Sequence, residues 1–171
     1  LLGKNQFLIL DTMNFWMDNN LEDLNKVISK VNLISINDEE AYLLTKEKSL
    51  ENCASKIIKK GPQYVIIKKG ELGAELYSKD EKFSLPSFSV KAIDPTGAGD
   101  TFAGGLAAYL SKSKNVDFKS LKKGLILGTI LASFTVEGLG TSCIERVVKK
   151  NILERLEIFI NKNKIDLNLS I

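Results

Sequence analysis

The sequence predicts an α/β protein, with a mostly parallel sheet and helices on both faces. Three observations carry this. Short apolar runs ending in a polar or charged residue alternate with stretches whose apolar residues recur at helical spacing. The 171 residues are 44% hydrophobic and 26% charged, which suits one globular domain over residues 1–171 with a full core. No apolar run approaches a membrane span, since the longest, Leu125 to Val136, is interrupted by Gly128, Thr129, Ser133 and Thr135.

The elements follow in order. Phe7-Leu8-Ile9-Leu10-Asp11 reads as a buried strand ending in a carboxylate, and Asn20 to Lys30 as a helix with Leu21, Leu24, Val27 and Ile28 on one side. Residues 31–36 form a second short apolar strand. Helices are expected from Asn37 to Leu44 and from Leu50 to Lys60, the latter stopped by Gly61-Pro62. Tyr64 to Lys68 is the most β-branched strand, and Gly73 to Tyr77 looks like its hairpin partner. Further short strands over Lys82 to Val90 are broken by Pro86. After Gly97 the pattern turns helical: Phe102, Leu106, Tyr109 and Leu110 share a face, and long helices are predicted over Phe118 to Val136 and Ile144 to Ile160. There is no internal repeat and no low-complexity linker. The polar tail from Asn161 to Ile171 is expected to fray.

Charge and cysteine usage exclude several classes. A net charge of +3, with lysines in scattered pairs, argues against a nucleic-acid partner. There is no histidine, and Cys53 and Cys143 lie far apart, so zinc sites and histidine triads are out. Both cysteines are expected as reduced core thiols of a cytoplasmic protein. Nothing resembles a secretory signal, and no membrane partner is expected. The chain does not begin with Met, as a fragment or processed product would not.

The run Asp94-Pro95-Thr96-Gly97-Ala98-Gly99-Asp100-Thr101-Phe102-Ala103-Gly104-Gly105 holds the most chemistry. A helix opening on Gly97-Ala98-Gly99 exposes backbone N–H groups, and these with the helix dipole suit an anion. Asp100 follows at once, where a carboxylate can take a proton from a hydroxyl attacking a bound phosphate. The plainer alternative is that the glycines serve tight packing and Asp100 is a favourable first-turn acid. A membrane-protease reading of Gly97-Ala98-Gly99-Asp100 is discarded, because no membrane spans accompany it.

This run strongly resembles the C-terminal signature of PfkB carbohydrate kinases, of the ribokinase-like superfamily. The resemblance implies a three-layer α/β/α sandwich, of which this chain holds the C-terminal half without the first strands and the lid. It extends from about Phe7 to about Gly140. The family's Asn-x-x-Glu motif, which helps hold magnesium and phosphates through water, is matched by Asn37 and Glu40, although the same spacing is a capping box. Gly70 and Gly73 match the turn beside the nucleotide. Lys68, just before it, either reaches a nucleotide phosphate or ends a strand in solvent. Thr129 falls on the helix that in relatives closes over the base, where an ordinary core helix fits as well. Asp94 and Thr96 stand where some relatives bind a monovalent cation, which admits K+ beside ATP and Mg2+.

The opening segment departs from the family's Asp-x-Asn-x-Arg pattern. Here Asp11 and Asn14 remain as candidates to line the substrate cleft, the Asn is one place late and the Arg is missing. Phe15 and Trp16 are expected as helix-start core residues, with sugar stacking as the alternative. The implied activity is transfer of the γ-phosphate of ATP to a hydroxyl of a sugar or small polyol, with Asp100 as base and the N–H groups of Gly97, Ala98 and Gly99 as phosphate cradle. A nucleoside, heptose or vitamin kinase shares every one of these motifs, and a non-catalytic nucleotide-binding relative keeps the same fold. A homodimer is admitted for the intact protein. An isolated half would leave a sheet edge and helix faces uncovered, which predicts association.

Overall fold

The computed structural model describes residues 6–166. The chain divides into two compact units, Leu1–Ser84 and Leu85–Ile171.

The first unit is built on a five-stranded sheet in the order β1-β2-β3-β4-β5. β1 (Ile9–Asp11), β2 (Leu33–Asn37) and β3 (Tyr64–Lys68) run parallel, while β4 (Ala74–Tyr77) returns antiparallel to β3 and is followed by β5 (Lys82–Leu85). The parallel pairs need crossovers, and helices supply them. α1 (Asn14–Asn19) and α2 (Leu21–Ile28) join β1 to β2, and α3 (Asp38–Thr45) and α4 (Leu50–Ile58) join β2 to β3. One sheet face, through Ile34, Ile36, Val65, Ile67 and Tyr77, forms a core with Met17, Leu24, Ile28, Ala41, Leu44, Cys53 and Ile57 of these helices.

The helix starts have local causes. The Asn37 side chain accepts the Glu40 N–H at 2.7 Å and the Glu40 carboxylate accepts the Asn37 N–H at 3.2 Å, a reciprocal cap that opens α3 directly at the end of β2. Ser49 caps α4 by accepting the Asn52 N–H. The short α1 is an addition to the sequence reading. Its first turn shows Phe15 and Trp16 to be 52% and 45% exposed, which corrects their expected place in the core. Met17 takes the buried position instead.

The second unit is helical, with α5 (Ala98–Leu110), α6 (Phe118–Thr135) and α7 (Lys149–Asn163). Residues 86–90 are not a strand, so the short strands predicted there end with β5. The single helix predicted from Ile144 is also broken. A 3-10 turn over Ile144–Arg146 ends at extended Val147 and Val148, and α7 starts only at Lys149, where the Asn151 side chain accepts the Val148 N–H. Two adjacent β-branched residues favour that extended backbone. α7 continues to Asn163, so the first three residues of the expected polar tail are helical, whereas 167–171 lie outside the described residues. Both cysteines are free, but only Cys53 is buried, and Cys143 is half-buried rather than in the core.

α5 and α6 approach closely because glycines face each other. A Cβ on Gly105 would stand 3.0 Å from Gly128 Cα, and one on Gly128 would stand 2.7 Å from the Phe102 carbonyl oxygen. Arg155 ties α7 to α6: it donates to Ser133 at 2.9 Å and Glu137 at 2.8 Å, with its guanidinium 3.5 Å over the Phe134 ring.

Candidate active site

In the first unit the chemistry gathers at the carboxyl ends of β1, β2 and β3, the edge where open parallel sheets hold ligands. Asp11, Asn37 and Lys68 are the last residues of these three strands. Parallel register aligns Asp11 with Ser35 and Asn37 with Lys68, so all of these lie on one face. Lys68 Nζ donates to Asp11 Oδ1 at 2.8 Å, bridging β1 and β3 across β2. With only 19% of its side chain exposed, Lys68 is not a strand end left in solvent. Asp11 is correspondingly engaged, whereas Asn14, the first residue of α1, is exposed.

Glu40 sits 5% exposed under this edge. Burial pushes its carboxyl above the ordinary range; the Asn37 N–H and the Lys68 charge pull it back, and Asp11 pushes it up again. Gly70 and Gly73 form the turn between β3 and β4. Both have positive φ, +54° and +93°, and the Gly73 N–H donates to the Gly70 carbonyl at 3.1 Å. Beside this turn a second cluster is held together by Glu75, which accepts from Lys69 at 2.7 Å and from the Tyr77 hydroxyl, with Lys82 at 3.5 Å.

In the second unit the signature run forms a turn and then α5. Gly97 has φ +80°, the left-handed region where a side chain is strained, and precedes the first helical residue. The Ala98 N–H is turned inward and donates to the Pro95 carbonyl at 3.1 Å. The cradle expected from Gly97, Ala98 and Gly99 is therefore reshaped. Of the four N–H groups from Gly97 to Asp100, those of Gly97, Gly99 and Asp100 have no acceptor among the described residues. The Asp100 side chain is exposed. Asp94 accepts the Thr96 N–H at 2.9 Å, and the hydroxyl and N–H of Thr96 hold its carboxyl below the usual range. Thr129 lies in the buried run of α6, 9% exposed.

The pfkB family carbohydrate kinase model matches residues 6–146. The chain belongs to the PfkB family. Among relatives, ribokinase of Staphylococcus aureus is 31% identical over 121 residues, covering 68% of this chain and 38% of that protein. Nucleoside kinase of Methanocaldococcus jannaschii is 41% identical over 95 residues, covering 54% of this chain and 29% of that protein. The solved ribokinase of Thermotoga maritima superposes with a TM-score of 0.71 at 29% identity, over 92% of this chain and 50% of that one. An Escherichia coli protein of the ribokinase II type, solved with ATP and Mg2+, gives 0.64 at 27% identity over 81% of this chain and 42% of that one. The fold class is thus the ribokinase-like α/β sandwich, in a family of phosphotransferases. The chain spans 29–38% of the length of these curated relatives.

The PfkB assignment implies magnesium, and the donors can be tested for fit. Among the described residues no three acidic, cysteine or histidine side chains gather into a cage. The strand edge does offer one hard carboxylate, Glu40, beside the Asn37 amide oxygen, and Mg2+ whose shell is completed by phosphates and water needs only one or two carboxylates. The residues present fit an ion held mainly by its nucleotide. Sequence reasoning missed two features. It did not foresee the Asp11–Lys68 pair, whose partners stand 57 positions apart. It also missed Thr135, whose hydroxyl donates to Thr101 at 2.9 Å; a polar residue at a buried helix end was the available signal.

Proposed function

We propose that this chain is the phosphoryl-transfer portion of an ATP-dependent kinase acting on a hydroxyl of a sugar or small polyol. One observation carries the reading: a glycine-opened helix start where the N–H groups of Gly97, Gly99 and Asp100 lack acceptors, at the exposed Asp100 side chain. Asp100 takes the proton of the acceptor hydroxyl. The resulting oxygen bonds to the γ-phosphorus, the bond from that phosphorus to the β,γ-bridging oxygen breaks, and ADP carries the electron pair away. The N–H groups of Gly97, Gly99 and Asp100 meet charge developing on the transferred group, and Ala98 shapes the turn that aims them.

In the first unit, Lys68 is the candidate contact to nucleotide phosphates and the Gly70–Gly73 turn the candidate flank of a nucleotide; in the second unit, Thr129 on α6 is a candidate nucleotide contact. Asn37 and Glu40 would hold Mg2+ through water, and the ion would supply neutralisation of phosphate charge. Asp94, kept ionised by Thr96, is the candidate ligand for a K+ ion. Asn14, exposed at the start of α1, and Asp11 line the acceptor side. The cytoplasm, where ATP is available, is the expected location. Among the described residues, no helix is long and apolar enough to cross a membrane.

The 41% identity to a nucleoside kinase favours a second reading, in which the acceptor hydroxyl belongs to a nucleoside. A panel of sugars, polyols, heptoses, vitamins and nucleosides offered to the full-length gene product separates the two. Asp100→Asn in that protein should lower turnover by about 10²–10⁴-fold, with ATP affinity retained by calorimetry. Near-normal turnover would remove Asp100 from the mechanism. A wild-type protein that binds Mg-ATP but phosphorylates no acceptor would instead support a non-catalytic nucleotide-binding relative.

A further inference from the structure

The end of α6 carries a buried polar side chain that none of these roles uses. Thr135, the last residue of α6, is 3% exposed. A hydroxyl inside a helix ordinarily returns to a carbonyl one turn back. Ser133 does so, donating to Ile130 at 2.6 Å. Thr135 instead donates across to Thr101 Oγ1 at 2.9 Å, and Thr101 is the residue after Asp100. The next residue, Val136, offers its carbonyl to the N–H groups of Ile93 at 2.7 Å and Asp94 at 3.2 Å. A Cβ placed on Gly97 would lie 3.8 Å from the Thr135 methyl.

Both ends of the stretch from Asp94 to Thr101 are therefore fastened to two neighbouring residues. Ile93 and Asp94 hang on Val136, Thr101 on Thr135, and Gly97 runs past the Thr135 methyl between them. The stretch between these anchors contains Gly97 and Gly99, whose backbones have the widest conformational freedom of any residue. Anchoring at its ends is what limits that freedom.

We propose that Thr135 is a positioning residue: its hydroxyl, acting through Thr101, fixes the direction of Asp100 and of the open N–H groups at the start of α5. The inference rests on the reading of Asp100 as base, because direction matters to turnover only if that carboxylate acts.

Thr135→Val removes the hydroxyl and keeps the shape, whereas Thr135→Ser keeps the hydroxyl and removes the methyl. Amide hydrogen exchange is read at Thr101, whose N–H donates to the Gly97 carbonyl at 2.9 Å, and at Asp94. Thr135→Val should speed exchange at Thr101 about tenfold, the equivalent of one hydrogen bond, and Thr135→Ser should stay near wild type. In the full-length gene product, Thr135→Val should lower kcat by about tenfold with the KM for ATP unchanged, and Thr135→Ser should restore it. Unchanged exchange in Thr135→Val overturns the proposal, and so does faster exchange with unchanged kcat. Parallel losses in both variants overturn it as well, since the methyl and its packing would then be what matters. Failure of the Asp100 reading is separately visible as normal turnover in Asp100→Asn, and the exchange measurement still reports whether Thr135 holds the segment.

Discussion

Glu40 and Glu75 are two part-buried carboxylates with opposite consequences for stability. Burial raises Glu40 above its ordinary value of 4.5 despite the opposing Asn37 N–H and Lys68. Its ionisation therefore opposes folding increasingly as pH rises through that raised value. Burial raises Glu75 too, but the hydrogen bonds from Lys69 and Tyr77 outweigh it and leave the carboxyl below 4.5. Its contribution is present above 4.5 and is lost as pH falls through the lowered value. Glu40→Gln can keep the cap through its amide oxygen while removing the buried charge. It should melt at or above the wild-type temperature at neutral pH, yet bind Mg-ATP more weakly by calorimetry. A clear loss of melting temperature would show that the charge itself is needed for folding. Glu75→Gln should flatten the acid limb of the stability profile, read from melting temperature against pH. At this scale the sequence was legible where partners are three residues apart, as in the Asn37–Glu40 cap. It was silent on the Asp11–Lys68 pair, which exists only because two crossovers bring β1 and β3 to either side of β2.

The elements show why the paired glycines of the signature are not equivalent. Gly105 abuts Gly128 on α6, whereas a Cβ on Gly104 would meet nothing within 4 Å. Gly128→Ala must displace the backbone at Phe102, so a loss of about 1–3 kcal/mol is expected in urea denaturation. Gly104→Ala should gain up to about 1 kcal/mol by the same measurement, because alanine is the better helix former and the space is open. Equal effects at the two positions would contradict this division. Helix and strand identities were legible from periodicity, and β3 was read with its observed ends, Tyr64 and Lys68. The break before α7 was not, since Ile144 to Ile160 keeps an apolar pattern through the turn that ends at Val147 and Val148.

For the whole molecule, the sheet of the first unit has β1 and β5 at its edges. Close to β1 the chain exposes Met13, Phe15 and Trp16, with Leu21 and Val27 on the next helix. An edge strand beside exposed apolar side chains is a template for pairing. This 171-residue chain should therefore associate as its concentration rises, giving a sedimentation mass above 18.9 kDa. A mass that stays at the monomer value at every concentration would refute the expectation. Charge, composition and the family signature were legible at this scale without coordinates. The placement of Phe15 and Trp16 was not, because helical spacing shows which residues share a face and leaves open whether anything covers it.

The sequence by itself determined the class of fold, the alternation of β1, β2 and β3 with helices, the capped start of α3 and the PfkB signature with Asp100 in it. Those features depend on residues close together in the chain, whose backbone preferences and spacing act locally. The tertiary structure alone decided that Lys68 is held by Asp11, that the Ala98 N–H turns away to Pro95, and that Gly105 serves packing. It alone revealed that Thr101 is tied to Thr135. Apart from the Pro95 turn, these contacts join positions distant in sequence, and distance along the chain carries no information about direction in space until the crossovers and close helix packing are formed.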